Sequence, residues 1–142
     1  MQPVLLDSSV YIPALRAGEE AISALKWRSP HTPVWLSAVV LEEMYAGASE
    51  RERRAVENLE RDFAKLGRIL VPNLRDWTRT GQVLAQMAAQ YGYERIGQQR
   101  LTNDALIAMS AARQGITIVT ANEHDFARLA RFCPFRYEVW TI

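Results

Sequence analysis

At 142 residues, with about half of them apolar (49%), the chain has the length of one ordinary domain, 1–142, able to bury about two-thirds of its unfolded surface without staples. A formal net charge of +1 excludes a basic coat that would hold long nucleic acid through sequence-independent contacts, and the lone Cys133 excludes an internal disulfide and a thiolate zinc cluster. No apolar run approaches the length of a membrane span, and the N-terminus shows no basic segment leading into a long hydrophobic core, so the expected setting is cytoplasmic, with no membrane partner.

In chain order, Pro3 to Leu6 is a short apolar run ending in Asp7, and Ser8 or Ser9 can cap a helix through Val10, Tyr11, Pro13, Ala14 and Leu15. Pro13 then falls in the first turn, where its missing N–H costs little. Beyond Gly18, Glu19 to Trp27 is amphipathic, with Ala21, Ile22 and Leu25 on one face, and RSPHTP from Arg28 reads as a loop. Val34 to Leu36 resumes a strand, and Ser37 caps a largely apolar helix running toward Gly47. Residues 49–68 alternate charges around Val56, Leu59, Phe63 and Leu66, the pattern of a solvated helix with one packed seam. Ile69 to Val71 is a third short strand before Pro72, and Asn73 caps a long helix through Trp77, Val83, Leu84, Met87, Ala88 and Tyr91 that Gly92 stops.

The polar stretch YERIGQQR, 93–100, reads as a loop. Leu106, Ile107, Met109, Ala111 and Ala112 then repeat at helical spacing behind Thr102 or Asn103 as cap, so that Asp104 opens this helix and Gly115 ends it. Ile116 to Val119 is β-branched and too short for a helix, hence a buried parallel strand with Asp125 just beyond its end. Phe126, Leu129 and Phe132 give a short helix, and Tyr137 to Ile142 alternates into a final strand. Strands and helices interleave throughout, which predicts an α/β fold: a three-layer α/β/α sandwich with a central parallel sheet.

Acids recur where such a sheet holds its ligands, outside the carboxyl ends of the strands. Asp7 follows the first strand, the Glu42/Glu43 pair lies in the helix after the second, Asp104 starts the helix before the fourth, and Asp125 follows it. Taken singly, each is adequately explained as a helix cap or loop acid; four at one edge are not. A carboxylate is rarely buried without a partner, so one of Glu42 and Glu43 should reach solvent or hold something positive. An oxygen-rich set with no cysteine cluster and no histidine pair suits Mg²⁺ or Mn²⁺ rather than zinc. His31 and His124 read as surface residues. Tyr11, Trp27, Trp35, Tyr45 and Trp77 are core residues or the lining of an apolar groove.

DSSV at Asp7, SAVVLEEMYAG from Ser37, NDALIAMSAARQG from Asn103 and TANEHDF from Thr120 resemble, in order and spacing, the four motif blocks of PIN domains. The chain is most similar to the VapC-type ribonuclease toxins of bacterial and archaeal toxin–antitoxin pairs. Carried over by position, the resemblance implies Asp7, Glu43, Asp104 and Asp125 as catalytic and metal-binding acids, with Asp7 and Asp104 the primary ligands of Mg²⁺ or Mn²⁺. Ser9, Thr120 and Asn122 become supporting polar residues, although many relatives carry asparagine at the position of Ser9. It further implies metal-dependent hydrolysis of RNA, a small antitoxin lying across the groove, and a homodimer. Arg16, Arg95, Arg100 and Arg128 are the candidates for RNA phosphate. Two rivals are a non-catalytic PIN-like module that binds protein through the groove, and a metal-dependent DNA nuclease.

Overall fold

The computed structural model describes residues 2–26, 32–92 and 99–140, so expectations for Trp27, His31, Arg95, the loop 93–98 and the last two residues lie outside the described part. Five strands, β1 (Val4–Leu6), β2 (Val34–Ser37), β3 (Ile69–Leu70), β4 (Thr117–Thr120) and β5 (Tyr137–Val139), form one sheet in the order β3-β2-β1-β4-β5. Every pairing is parallel, with Leu5 opposite Trp35 on one side and Ile118 on the other. The helices among the described residues are α1 (Ser8–Ala17), α2 (Glu19–Lys26), α3 (Ala38–Gly47), α4 (Glu50–Lys65), α5 (Leu74–Tyr91), α6 (Gln99–Gln114) and α7 (Glu123–Leu129). They cover both faces of the sheet and make the expected α/β/α sandwich. All of β1 and β4 is buried, and Leu5, Tyr11, Leu36, Ile118, Phe126 and Leu129 lie at the centre of the core. Such a two-sided burial is why these strands read as continuous apolar runs rather than alternations.

The order of the strands positions the site. The chain moves outward from β1 through β2 to β3, then returns to the opposite side of β1 with β4 and β5. Between β1 and β4 the direction of progression reverses, and the loops leaving their carboxyl ends diverge to leave a crevice.

Local chemistry set most boundaries. The Ser37 hydroxyl accepts from the N–H groups of Val39 and Val40, and Ser49 and Asn73 each close a reciprocal capping box, with Glu52 and Asp76. Gly115 ends α6 in the left-handed conformation at φ +68, and the Ile116 N–H returns to the Ala111 carbonyl.

Three expectations are corrected. Helix α6 starts at Gln99, so neither Thr102 nor Asn103 caps it and Asp104 stands in its second turn. Helix α1 starts directly after Asp7, which takes the N-cap position without using its side chain as a cap, and Pro13 therefore lies inside the helix. Leu66 is exposed beyond the end of α4 instead of extending its seam.

Helix α5 packs on α6 through a buried ion pair. Asp76, besides closing its capping box, accepts from Arg113 Nε at 3.1 and 3.0 Å on its two oxygens and meets Arg113 Nη2 at 2.9 Å.

Candidate active site

The crevice between β1 and β4 is where the predicted acids assemble. Asp7 is buried at the end of β1, and residues from both strands hold its carboxylate. The Ser9 hydroxyl donates to Oδ1 at 2.5 Å and the Thr120 hydroxyl to Oδ2 at 2.8 Å. Those hydroxyls are themselves placed by backbone: Ala121 N–H donates to Ser9 Oγ at 2.9 Å and Asn122 N–H to Thr120 Oγ1 at 2.9 Å. Burial raises the Asp7 carboxyl above its ordinary value, while the Ser9 and Thr120 hydrogen bonds work against that shift.

Asp104 enters from α6, where an apolar helix face carries it into the crevice. It is 5% exposed, and its Oδ2 has no hydrogen-bond partner among the described residues. Burial, followed by repulsion from Asp7, Asp125 and Glu43, pushes its carboxyl up to about 8.

The Glu42/Glu43 ambiguity resolves by rotation around α3. Glu42 is exposed, whereas Glu43 is half-buried, accepts side-chain hydrogen bonds from Asn103 and Ser8, and keeps Oε1 buried without a described partner. Its carboxyl is raised, first by burial and then by Asp7 and Glu42, against those two hydrogen bonds. Asp125 sits in the first turn of α7, where Asn122 Nδ2 donates to its Oδ2 at 2.8 Å. Arg100 Nε stands 3.9 Å from the same oxygen.

Beside the acids opens a groove of about 550 Å³, lined by Ser8, Ser9, Ile12, Pro13, Glu42, Glu43, Arg100 and Asn103, so that Glu43 and Ser9 reach its wall directly. A second, apolar cleft of about 350 Å³ adjoins it, lined by Val39, Val71, Trp77 and Leu106 and sharing Glu42 and Asn103 with the first. Trp77 is exposed there; Tyr11 is buried in the core, Trp35 is half-buried against it, and the Tyr45 hydroxyl is engaged with Glu60.

Of the four arginines, Arg100 lies at the acids. The Glu52 carboxyl of α4 is lowered first by its hydrogen bond from the Ser49 N–H and only secondarily by Arg16, and Arg128 stacks on Tyr91. Two contributors escaped the sequence reading: Ser8 and Asn103, considered only as caps, both bond Glu43.

Among the described residues, no three Asp, Glu, His or Cys side chains already close on one point as a metal cage. The donor chemistry nevertheless fits a hard divalent cation that keeps much of its water. It is all oxygen, it includes two buried carboxylate oxygens without a described partner, and His124 stands exposed to solvent.

The PIN domain profile matches residues 4–132. Among solved structures, the chain is similar to DNA-bound VapBC from Salmonella typhimurium, with TM-score 0.70 and 22% identity over 99% of this chain and 100% of that one. It is likewise similar to VapBC2 from Rickettsia felis bound to a promoter DNA fragment, with TM-score 0.66 and 22% identity over 99% and 100% of the two chains. VapBC-5 from Mycobacterium tuberculosis, a member of a family of toxin–antitoxin systems, follows with TM-score 0.58 and 24% identity over 100% of both. Identities of this size speak for a common fold. No curated protein matches the chain.

Proposed function

The chain belongs to the PIN domain family, and on that premise we propose that it is a Mg²⁺-dependent endoribonuclease, a VapC-type toxin restrained in the cytoplasm by a cognate antitoxin. One observation supports the reading: Asp7 and Asp104 are both buried at the switch point of the sheet, close enough to repel each other, and Asp104 Oδ2 has no hydrogen-bond partner among the described residues. Burying carboxylates this way costs free energy that packing does not return, and a ligand of opposite charge offsets it.

Asp7 and Asp104 are the residues that would hold Mg²⁺ or Mn²⁺, with Glu43 and Asp125 beside them, in contact directly or through water. When bound, the ion supplies positive charge against the phosphate and brings the pKa of a water toward neutrality. The chain's own residues do the positioning. Ser9 and Thr120 lock the Asp7 carboxylate in one orientation, which leaves it acceptor-rich on the groove side. Asn122 fixes Asp125 in the first turn of α7, and Arg100, 3.9 Å from Asp125, is the guanidinium that would meet a substrate phosphate at the acids.

The partner half of the proposal rests on the likeness to VapBC complexes and on the charge of the groove. A basic side chain of an antitoxin entering the groove neutralises the acids and displaces both metal and RNA, while the adjoining apolar cleft around Trp77 takes its hydrophobic residues. Self-association as a homodimer belongs to the same reading. Incubation with RNA and with DNA in parallel, with Mg²⁺, Mn²⁺ or EDTA, tests the activity. The expected result is RNA cleavage that EDTA abolishes. Cleavage of DNA with RNA spared would reassign the substrate, and no cleavage of either in any metal would favour a protein-binding module.

A further inference from the structure

Helix α7 carries Asp125 in its first turn and Arg128 in its last. Three positions apart on a helix, their side chains leave neighbouring parts of one surface, separated by about 4.5 Å along the axis. The Arg128 guanidinium lies over the Tyr91 ring, 5.0 Å from its centroid, and just past the helix Arg131 Nη1 donates to the Tyr91 hydroxyl at 3.1 Å. Phe132 meets the same ring edge-on, with centroids 6.0 Å apart at 72°. One half-buried tyrosine at the end of α5 thus props two guanidiniums, one on its face and one at its hydroxyl.

Two like charges on one ring repel. Among the described residues neither has a carboxylate within ion-pair distance, since the pairs formed there belong to Arg61, Arg100 and Arg113. Across the groove the wall is built by Ile12, Pro13, Ala46 and Glu42, without a cation. Arg100 is the cation of the groove lining, beside Asp125, and Arg128 and Arg131 continue that positive charge past Asp125 along and beyond α7. A phosphodiester chain that crosses the acids gains charge-assisted hydrogen bonds on one flank only.

We infer that Arg128 and Arg131, positioned by Tyr91, form a backbone-phosphate subsite for the single-stranded RNA flanking the scissile bond, so that the strand leaves the acids along α7 and not over α1. The inference rests on the ribonuclease reading. Arg128 and Arg131 contact phosphate; Tyr91 is a positioning residue.

The test is equilibrium binding of a short fluorescent single-stranded RNA of mixed sequence to the full chain across a salt series, in an Asp104→Asn background so that the strand stays intact. Each phosphate contact contributes about 0.7 to the slope of log affinity against log salt for a single strand. Arg128→Gln/Arg131→Gln should lower that slope by about 1.4 and Arg61→Gln, on α4, should leave it alone. Arg128→Lys/Arg131→Lys should restore most of the slope, because it keeps the charges, and Tyr91→Leu should weaken binding with the arginines intact. An unchanged slope in the glutamine variant, with the parent still binding RNA, overturns the subsite and spares the ribonuclease reading. A slope lost equally in the lysine variant assigns the arginines to packing and also overturns it. A parent that binds no RNA removes both.

Discussion

Asp76 and Asp104 stand on neighbouring helices, 3% and 5% exposed, and the protein treats them in opposite ways. Asp76 is saturated: its oxygens accept from the Asn73 N–H at the head of α5 and from two nitrogens of Arg113. Asp104 has an oxygen with no hydrogen-bond partner among the described residues, three carboxylates for company, and a carboxyl pushed up to about 8, first by burial and then by Asp7, Asp125 and Glu43. Equal burial therefore carries opposite meanings. A buried charge whose partners come from the chain is part of the architecture; one whose partners are missing is completed by something from outside.

The sharpest way to break the comparison is to neutralise each aspartate in turn. Asp104→Asn or Asp7→Asn should reduce RNA cleavage by more than the roughly 10–100-fold that loss of an outer hydrogen-bond partner costs, with the circular dichroism spectrum unchanged. Glu43→Gln should be comparably severe. Thr120→Val removes a donor from Asp7 and an acceptor from the Asn122 N–H, so it should fall within that roughly 10–100-fold range in steady-state cleavage. Asp76→Ala should act on stability instead. Breaking a buried pair costs about 3–5 kcal/mol, and because Arg113 is 30% exposed and can recover some solvation, we expect about 2–3 kcal/mol in denaturant unfolding. Cleavage by the folded fraction should be unaltered. Glu42→Gln, on the exposed side of α3, should change neither.

How far the sequence revealed these differences follows from the range of the interactions. The α/β/α sandwich, the five strands and the caps Ser37 and Asn73 were legible because β-branched runs, helical spacing and capping act within a few residues. The start of α6 was not, since Gln99 to Asn103 offers only Leu101 as an apolar anchor, and Asp104 consequently looked like a residue at a helix mouth instead of one inside the second turn. The Asp76–Arg113 pair joins residues 37 apart, and Tyr91 meets Arg131 across 40; neither leaves any periodicity to read. Adjacent Glu42 and Glu43 point about 100° apart on a helix, so spacing alone does not separate them; the motif resemblance selected Glu43, and the packed orientation of α3 leaves Glu42 exposed and Glu43 bonded to Ser8 and Asn103.

The most direct test of the central claim, that Asp104 is buried to receive a cation, is calorimetric melting of the parent and of Asp104→Asn near pH 5 and near pH 8, in EDTA and in Mn²⁺. The folded carboxyl is raised from 3.8 to about 8, so the folded state holds this proton where the unfolded chain has released it. The stabilisation from that proton is full below the unfolded value and is lost as pH climbs toward 8. The metal-free parent should therefore melt lower near pH 8 than its Asp104→Asn variant does relative to pH 5. Mn²⁺ at about a hundred times its dissociation constant adds about 2.7 kcal/mol, roughly 5–10 °C in a domain of this size, and more of that gain should appear near pH 8, where the carboxylate is free to bind. The account predicts that Asp104→Asn melts no lower than the parent without metal near pH 8 and loses most of the Mn²⁺ shift. A variant that melts lower without metal and keeps the whole shift would contradict it.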